Sequence, residues 1–129
     1  MENKELTKAE EQVMQYLWKI KKGFLKDIVD RFPEPRPAYT TVSTVIRVLV
    51  KKGVIGYNTY GKIHEYYPLI TKRDYFQNHV KSIIDNFFNG SVPEFASFFA
   101  NEHLNLSELE EIKKLVEDKI KVIKSNGKK

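Results

Sequence analysis

YTTVSTVIRVLVKKG, residues 39–53, carries two patterns on one helical repeat. Val42, Val45, Ile46 and Leu49 fall at i, i+3, i+4 and i+7. That stripe must face a core, because leaving four such side chains in water forfeits about 1.5 to 3 kcal/mol each. The other positions, Thr40, Thr41, Ser43, Thr44, Arg47 and Lys51, point outward as hydroxyls and cations with no acid among them. Valines and threonines are poor helix formers, so tertiary packing has to hold this helix, and Gly53 ends it.

The flanks supply the partners. Thr7 and Glu10 are spaced as a capping box, and Ala9, Val13, Leu17 and Ile20 follow at helical intervals. They predict a first helix over residues 7–21, with Gly23 as its stop. Leu25, Ile28, Val29 and Phe32 predict a second, shorter helix, which the prolines of PEPRP terminate. Downstream, VIGYNTYGKIHEYYPLI reads as a hairpin, with strands over 54–59 and 64–69 joined through Tyr60, Gly61 and Lys62, and Pro68 at a strand end or edge. Three helices followed by a hairpin is the order of a winged helix-turn-helix. The fold class is therefore mainly α with a small β-hairpin wing, occupying residues 1–70.

Residues 71–129 change character. Capping boxes at Thr71/Asp74, Ser91/Glu94 and Ser107/Glu110 predict helices over 72–89, 92–101 and 108–124, with Glu110–Lys114 and Glu117–Lys121 as i, i+4 pairs and a frayed KSNGKK tail. Their apolar faces hold five phenylalanines between Phe87 and Phe99. So small a unit keeps a large surface fraction and cannot bury them all alone. A homodimer would cover them, through Phe76, Val80, Ile84, Phe87, Phe88, Phe95, Phe98, Phe99, Leu109, Ile112 and Val116. The other solution folds these helices back on the N-terminal part.

Composition narrows the function. At 129 residues and 41% hydrophobic, the chain can build a real core. The lack of cysteine excludes disulfides, thiolate metal sites and a cysteine nucleophile. No apolar run approaches the roughly 20 residues of a membrane span, and the N-terminus is charged where a signal peptide is greasy, so the chain reads as soluble and cytoplasmic. His64, His79 and His103 have no helical spacing that would pair them on a metal. No phosphate-binding glycine loop, GxSxG or HExxH occurs, and Glu108, Glu110 and Glu111 gather where a helix start favours negative charge. Neither an enzyme nor a cofactor is expected.

The charge has a location. Between Glu34 and Glu65 there is no acid, and the interval holds Arg36, Arg47, Lys51, Lys52 and Lys62, as many cations as the net charge of +5. A merely solvated helix face mixes both signs, whereas duplex DNA repels carboxylates and accepts hydroxyls and guanidinium groups. Thr41, Ser43, Thr44 and Arg47 are then candidates for base edges or nearby phosphates, and Tyr39, Thr40 and Lys51 for the backbone. Lys62, beside Gly61 at the hairpin tip, suits an adjacent phosphate or the minor groove, with Tyr60 either donating a hydrogen bond there or serving as a turn aromatic. Ser and Thr accept several base partners, so the helix does not spell out an operator. The competing reading is a winged-helix adaptor for protein contact, which has no electrostatic reason to exclude acids.

LTKAEEQVMQYLWK, YTTVSTVIRVLVKKGVI and LNLSELEEIKKLVE resemble the penicillinase and methicillin-resistance repressors, the BlaI/MecI family of bacterial winged-helix regulators, over residues 6–122. The resemblance implies a homodimeric repressor of a palindromic operator, with residues 39–52 as recognition helix, a wing around Lys62 and dimer contacts from the C-terminal helices. It also implies an upstream membrane sensor and proteolytic release, by cleavage of an Asn-Phe bond in the dimerisation region. The corresponding positions here are Ser97 and Phe98, so that motif is not kept. Copper-responsive relatives carry C-terminal cysteines, and this chain has none.

Overall fold

The structure, a computed structural model, describes residues 5–127; residues 1–4 and 128–129, with the end of the tail expected to fray, lie outside it. The order is α1 (Lys8–Ile20), β1 (Gly23–Phe24), α2 (Leu25–Val29), α3 (Tyr39–Lys51), β2 (Ile55–Tyr60), β3 (Ile63–Pro68), α4 (Lys72–Phe87), α5 (Val92–His103) and α6 (Leu106–Ser125). The chain divides into two compact units inside α4, between Ser82 and Ile83.

In the first unit the core is the meeting of four stripes: Val13, Met14 and Leu17 of α1, Ile28 and Val29 of α2, Val42, Ile46 and Leu49 of α3, and Val54 and Ile55 leading into β2. Val45 and Ile20 pack against it, whereas Ala9, expected on the α1 stripe, is exposed. The capping box that starts α1 is present: Thr7 Oγ1 accepts the Glu10 N–H at 3.2 Å, and Glu10 Oε1 accepts the Thr7 N–H at 3.0 Å.

Two helix ends differ from expectation. α1 stops on Lys21, whose φ of 75° is left-handed and whose N–H reaches the Leu17 carbonyl. Gly23 is instead buried against side chains: a Cβ there would stand 2.7 Å from Ile20 Cδ1 and 3.1 Å from Asp27 Cβ, so those side chains would have to shift to admit one. α2 ends at Val29, and Phe32 packs on the core from the following loop.

The sheet has three strands in the order β1-β3-β2, all antiparallel. β1 is two residues long and was not foreseen; it pairs Gly23 with Tyr66 and Phe24 with Glu65. The hairpin is tighter than the sequence suggests, because Tyr60 pairs with Ile63 and only Gly61 and Lys62 turn. Gly61 has φ +63°, a backbone that glycine takes at the first centre of a two-residue turn. Pro68 closes β3 opposite Ile55.

The start of α4 belongs to this unit. Thr71 caps it by accepting the Asp74 N–H at 3.0 Å. Tyr75, 8% exposed, donates its hydroxyl to Glu11 Oε2 at 2.7 Å. Burial first, and then the Glu11 carboxylate, push this phenol far above the ordinary tyrosine value. Trp18 Nε1 donates to the Ile70 carbonyl at 2.8 Å, and its ring lies 5.9 Å from that of Tyr75.

In the second unit, Phe95 and Phe98 of α5 gather around Phe88, at ring distances of 5.5 and 5.8 Å. Ser91 caps α5 as expected. α6 corrects the third box: Asn105, not Ser107, is the cap, its Oδ1 accepting the Glu108 N–H at 2.9 Å while Glu108 Oε1 accepts the Asn105 N–H at 3.0 Å. Asn caps at least as well as Ser, and the earlier start adds helix length. Lys114 reaches forward to Asp118, at 3.9 Å, and the helix continues through Ser125 into what was expected to be tail.

Candidate nucleic-acid interface

The free surface of α3 exists because its other side is buried. With Val42, Ile46 and Leu49 sealed in the core, the 100° step between residues leaves two further stripes. Thr40, Thr44 and Lys51 face away from the protein, with Thr41 and Val48 at their border toward Val45, where Thr41 lines a cleft with Ala9, Gln12 and Pro37; all five are exposed. Tyr39, Ser43 and Arg47 run along the edge nearest the hairpin.

Between that edge and the hairpin lie two clefts. One, of about 280 Å³, is lined by Ser43, Arg47, Tyr57, His64 and Tyr66. The other, of about 490 Å³, brings Tyr39 and Lys62 together with Phe24, Lys26, His64 and Tyr66. A carboxylate, Asp27, lines the second, and its Oδ2 accepts the Phe24 N–H at 2.9 Å. The hairpin register explains the lining, since Tyr57 opposes Tyr66 and Thr59 opposes His64, placing all four on one face. The Tyr57 and His64 rings stand 4.2 Å apart, and Thr59 Oγ1 is 3.1 Å from His64 Nδ1. Burial first, then Tyr57, raise the Tyr66 phenol above its usual value, while the Arg47 charge works in the opposite direction.

The structure thus gathers Tyr39, Ser43, Arg47 and Lys62 around the clefts and leaves Thr40, Thr41, Thr44 and Lys51 on the open face. Ser43 was expected outward, but its azimuth turns it toward the hairpin, where it is half-buried. Thr44 Oγ1 donates to the Thr40 carbonyl at 2.9 Å, so its proton is used inside the helix. Tyr60 is separated from the others. It lines neither cleft and alternates with His64 and Tyr66 on the hairpin, but it borders the second cleft through Phe24, against which its ring packs edge-on at 6.2 Å, and Ile63, its partner across the strands.

The five cations of the acid-free interval do not contribute equally. Lys52 Nζ lies 2.7 Å from Glu10 Oε1, and Arg36 pairs with Glu34 while donating to the Asp30 carbonyl. Glu10 is buried, which alone would raise its carboxyl; its bonds to Lys52 and Thr7 outweigh that and hold it below the usual glutamate value. Among the described residues, Arg47, Lys51 and Lys62 are the members of the set without an ion pair. Tyr57, His64 and Val48 join the surface although the sequence alone did not single them out. The first two were discoverable from alternation along the strands, and Val48 from its place four residues after Thr44.

A three-helix core, a hairpin clasped by a short third strand and a cationic helix face define a winged helix. The family model described as Penicillinase repressor matches residues 6–118, and the chain belongs to that family. It is 24% identical over 116 residues to the penicillinase repressor of Bacillus licheniformis, covering 88% of this chain and 91% of that one. It is 29% identical over 123 residues to the methicillin resistance regulatory protein MecI of Mammaliicoccus sciuri, covering 92% and 100%. Among solved structures, the DNA binding domain of the repressor BlaI has a similar fold, with a TM-score of 0.50 and 24% identity over 57% of this chain and 92% of that domain.

Among the described residues, no helix is long and apolar enough to cross a membrane.

Proposed function

We propose that this chain is a DNA-binding transcriptional repressor, acting as a homodimer on a palindromic operator. The observation that carries the reading is the face of α3: hydroxyls and unpaired cations on a helix fixed in place by Val42, Ile46 and Leu49. Family membership supports the same reading, since the matched family and the Bacillus licheniformis relative are named as penicillinase repressors. Thr41, Ser43, Thr44 and Arg47 are assigned to base edges and nearby phosphates, and Tyr39, Thr40 and Lys51 to the backbone. Lys62 takes an adjacent phosphate or the minor groove. Tyr60 reaches the DNA only from the outer side of the hairpin.

The dimer contact is assigned to residues 71–129. No residue of α5 or α6 is buried, and Phe87 and Leu106 are 76% and 70% exposed. Large apolar side chains left exposed in such number mark an interface. Phe76, Phe87, Phe98, Phe99, Leu109, Ile112 and Val116 are all exposed and able to meet a partner, with Val80, Phe88 and Phe95 half-buried beside them. Ile84, already buried in its own protomer, supports that surface from beneath. Proteolytic release prompted by a membrane sensor carries over from the family in outline only, because the bond at the corresponding position is Ser97–Phe98.

Two measurements test this. Binding to duplex DNA should weaken steeply with salt, and Lys62→Ala should reduce the slope of log affinity against log salt by about 1 per protomer. A flat salt response would instead favour the protein-contact adaptor. Light scattering at micromolar concentration should give twice the 15.1 kDa of the chain, and a monomer mass would remove the dimer.

A further inference from the structure

Val48 is an apolar side chain on the exposed surface of α3 that is not among those packed on the core. It is 38% exposed, at the border of the open face of α3, with Thr44 on one side and the half-buried Val45 on the other. A β-branched residue surrenders helix propensity relative to Lys, Arg or Ala, and normally recovers it by packing. At this azimuth the side chain is outside the buried stripe of Val42, Ile46 and Leu49, about a third of a turn away from it. Thr44, one turn earlier, is less polar than its hydroxyl suggests, because Oγ1 is bonded to the Thr40 carbonyl. What remains for a partner is an accepting lone pair and the γ-methyl. An apolar pair at i, i+4 therefore lies within a frame set by the unpaired Arg47 and Lys51.

The frame and the pair ask for different things. Cations without acids select a polyanion, whereas an apolar centre gains only where it meets an apolar group and excludes water. The floor of the major groove offers one such group, the C5-methyl of thymine; the other base edges there present donors and acceptors. We infer that Val48, together with the γ-methyl of Thr44, is a specificity-determining contact that reads a thymine methyl in the operator half-site. The inference rests on the DNA-binding reading above and assigns to it a base-level preference that hydroxyls and cations alone do not supply.

The test uses the full chain. Duplexes enriched from a randomised pool are re-synthesised with each thymine replaced singly by deoxyuridine, which removes the methyl and leaves base pairing intact. At one thymine per half-site, the exchange should weaken binding about fourfold, the worth of one buried methyl-sized group. Val48→Ala should reduce that discrimination while leaving the salt dependence as it was, since the residue is uncharged. If uridine is tolerated at every position, the inference is overturned while the DNA-binding reading stands. If Val48→Ala discriminates thymine from uridine as fully as the unsubstituted chain does, another residue reads the methyl and the inference is equally overturned. If no duplex is enriched at all, both fall together.

Discussion

Leu49→Ala should lower the unfolding free energy of the winged helix by about 2 to 5 kcal/mol, read from urea or thermal denaturation. Leu49 has no exposed surface and packs where α1, α2, α3 and the start of β2 converge. Truncation loses the transfer energy of the removed carbons and leaves a cavity that a tightly packed core closes only in part. Small domains have about 5 to 15 kcal/mol in total, so a large share of the stability that holds the recognition surface in place would be lost along with the core packing. Thr41→Ala, one helical face away and exposed, should stay within about 0.5 kcal/mol. Equal stabilities for the two variants would mean that the apolar stripe of α3 is not what anchors it.

Arg47→Ala should cost about 1 to 3 kcal/mol of specific binding, a loss of roughly 5- to 150-fold in affinity for the preferred duplex. The side chain is exposed and pairs with no carboxylate among the described residues, so its removal should spare folding. It rises from α3 beside Ser43, at the cleft walled by Tyr57, His64 and Tyr66, which limits where its guanidinium can reach. Arg47→Lys separates charge from shape: a point cation keeps the phosphate attraction but not the two-pronged match to guanine O6 and N7. A competition titration against an unrelated duplex distinguishes the two, because the loss should be confined to the preferred sequence. Unchanged discrimination by Arg47→Ala would remove this residue from base reading.

The elements legible in the sequence were those that a local pattern dictates. The α3 stripe, the Thr7 box and the helix caps at Thr71 and Ser91 all follow from spacing within one or two turns. What was not legible depends on the rest of the chain. Lys52 looked like part of the cationic face, and only folding brings it to Glu10, 42 residues away in sequence. β1 is too short to carry a pattern of its own and exists because the edge of β3 offers it a partner. Moving Tyr60 from the turn into β2 fixed which hairpin residues share a face, so Tyr57 and His64 turn toward α3 and Tyr60 away. At the start of α6 the box expected at Ser107 gives way to Asn105, because Asn105 and Glu108 have the same spacing and start the helix earlier.

Trp18 is the single tryptophan of the chain, and its hydrogen bond and its ring contact belong to one joint, where α1 holds the segment running from Ile70 into α4. Its emission is therefore an optical gauge of that joint alone. An indole that lets go of the Ile70 carbonyl and meets water shifts its fluorescence to longer wavelength, so the attachment of α4 to α1 can be followed in solution without any added label.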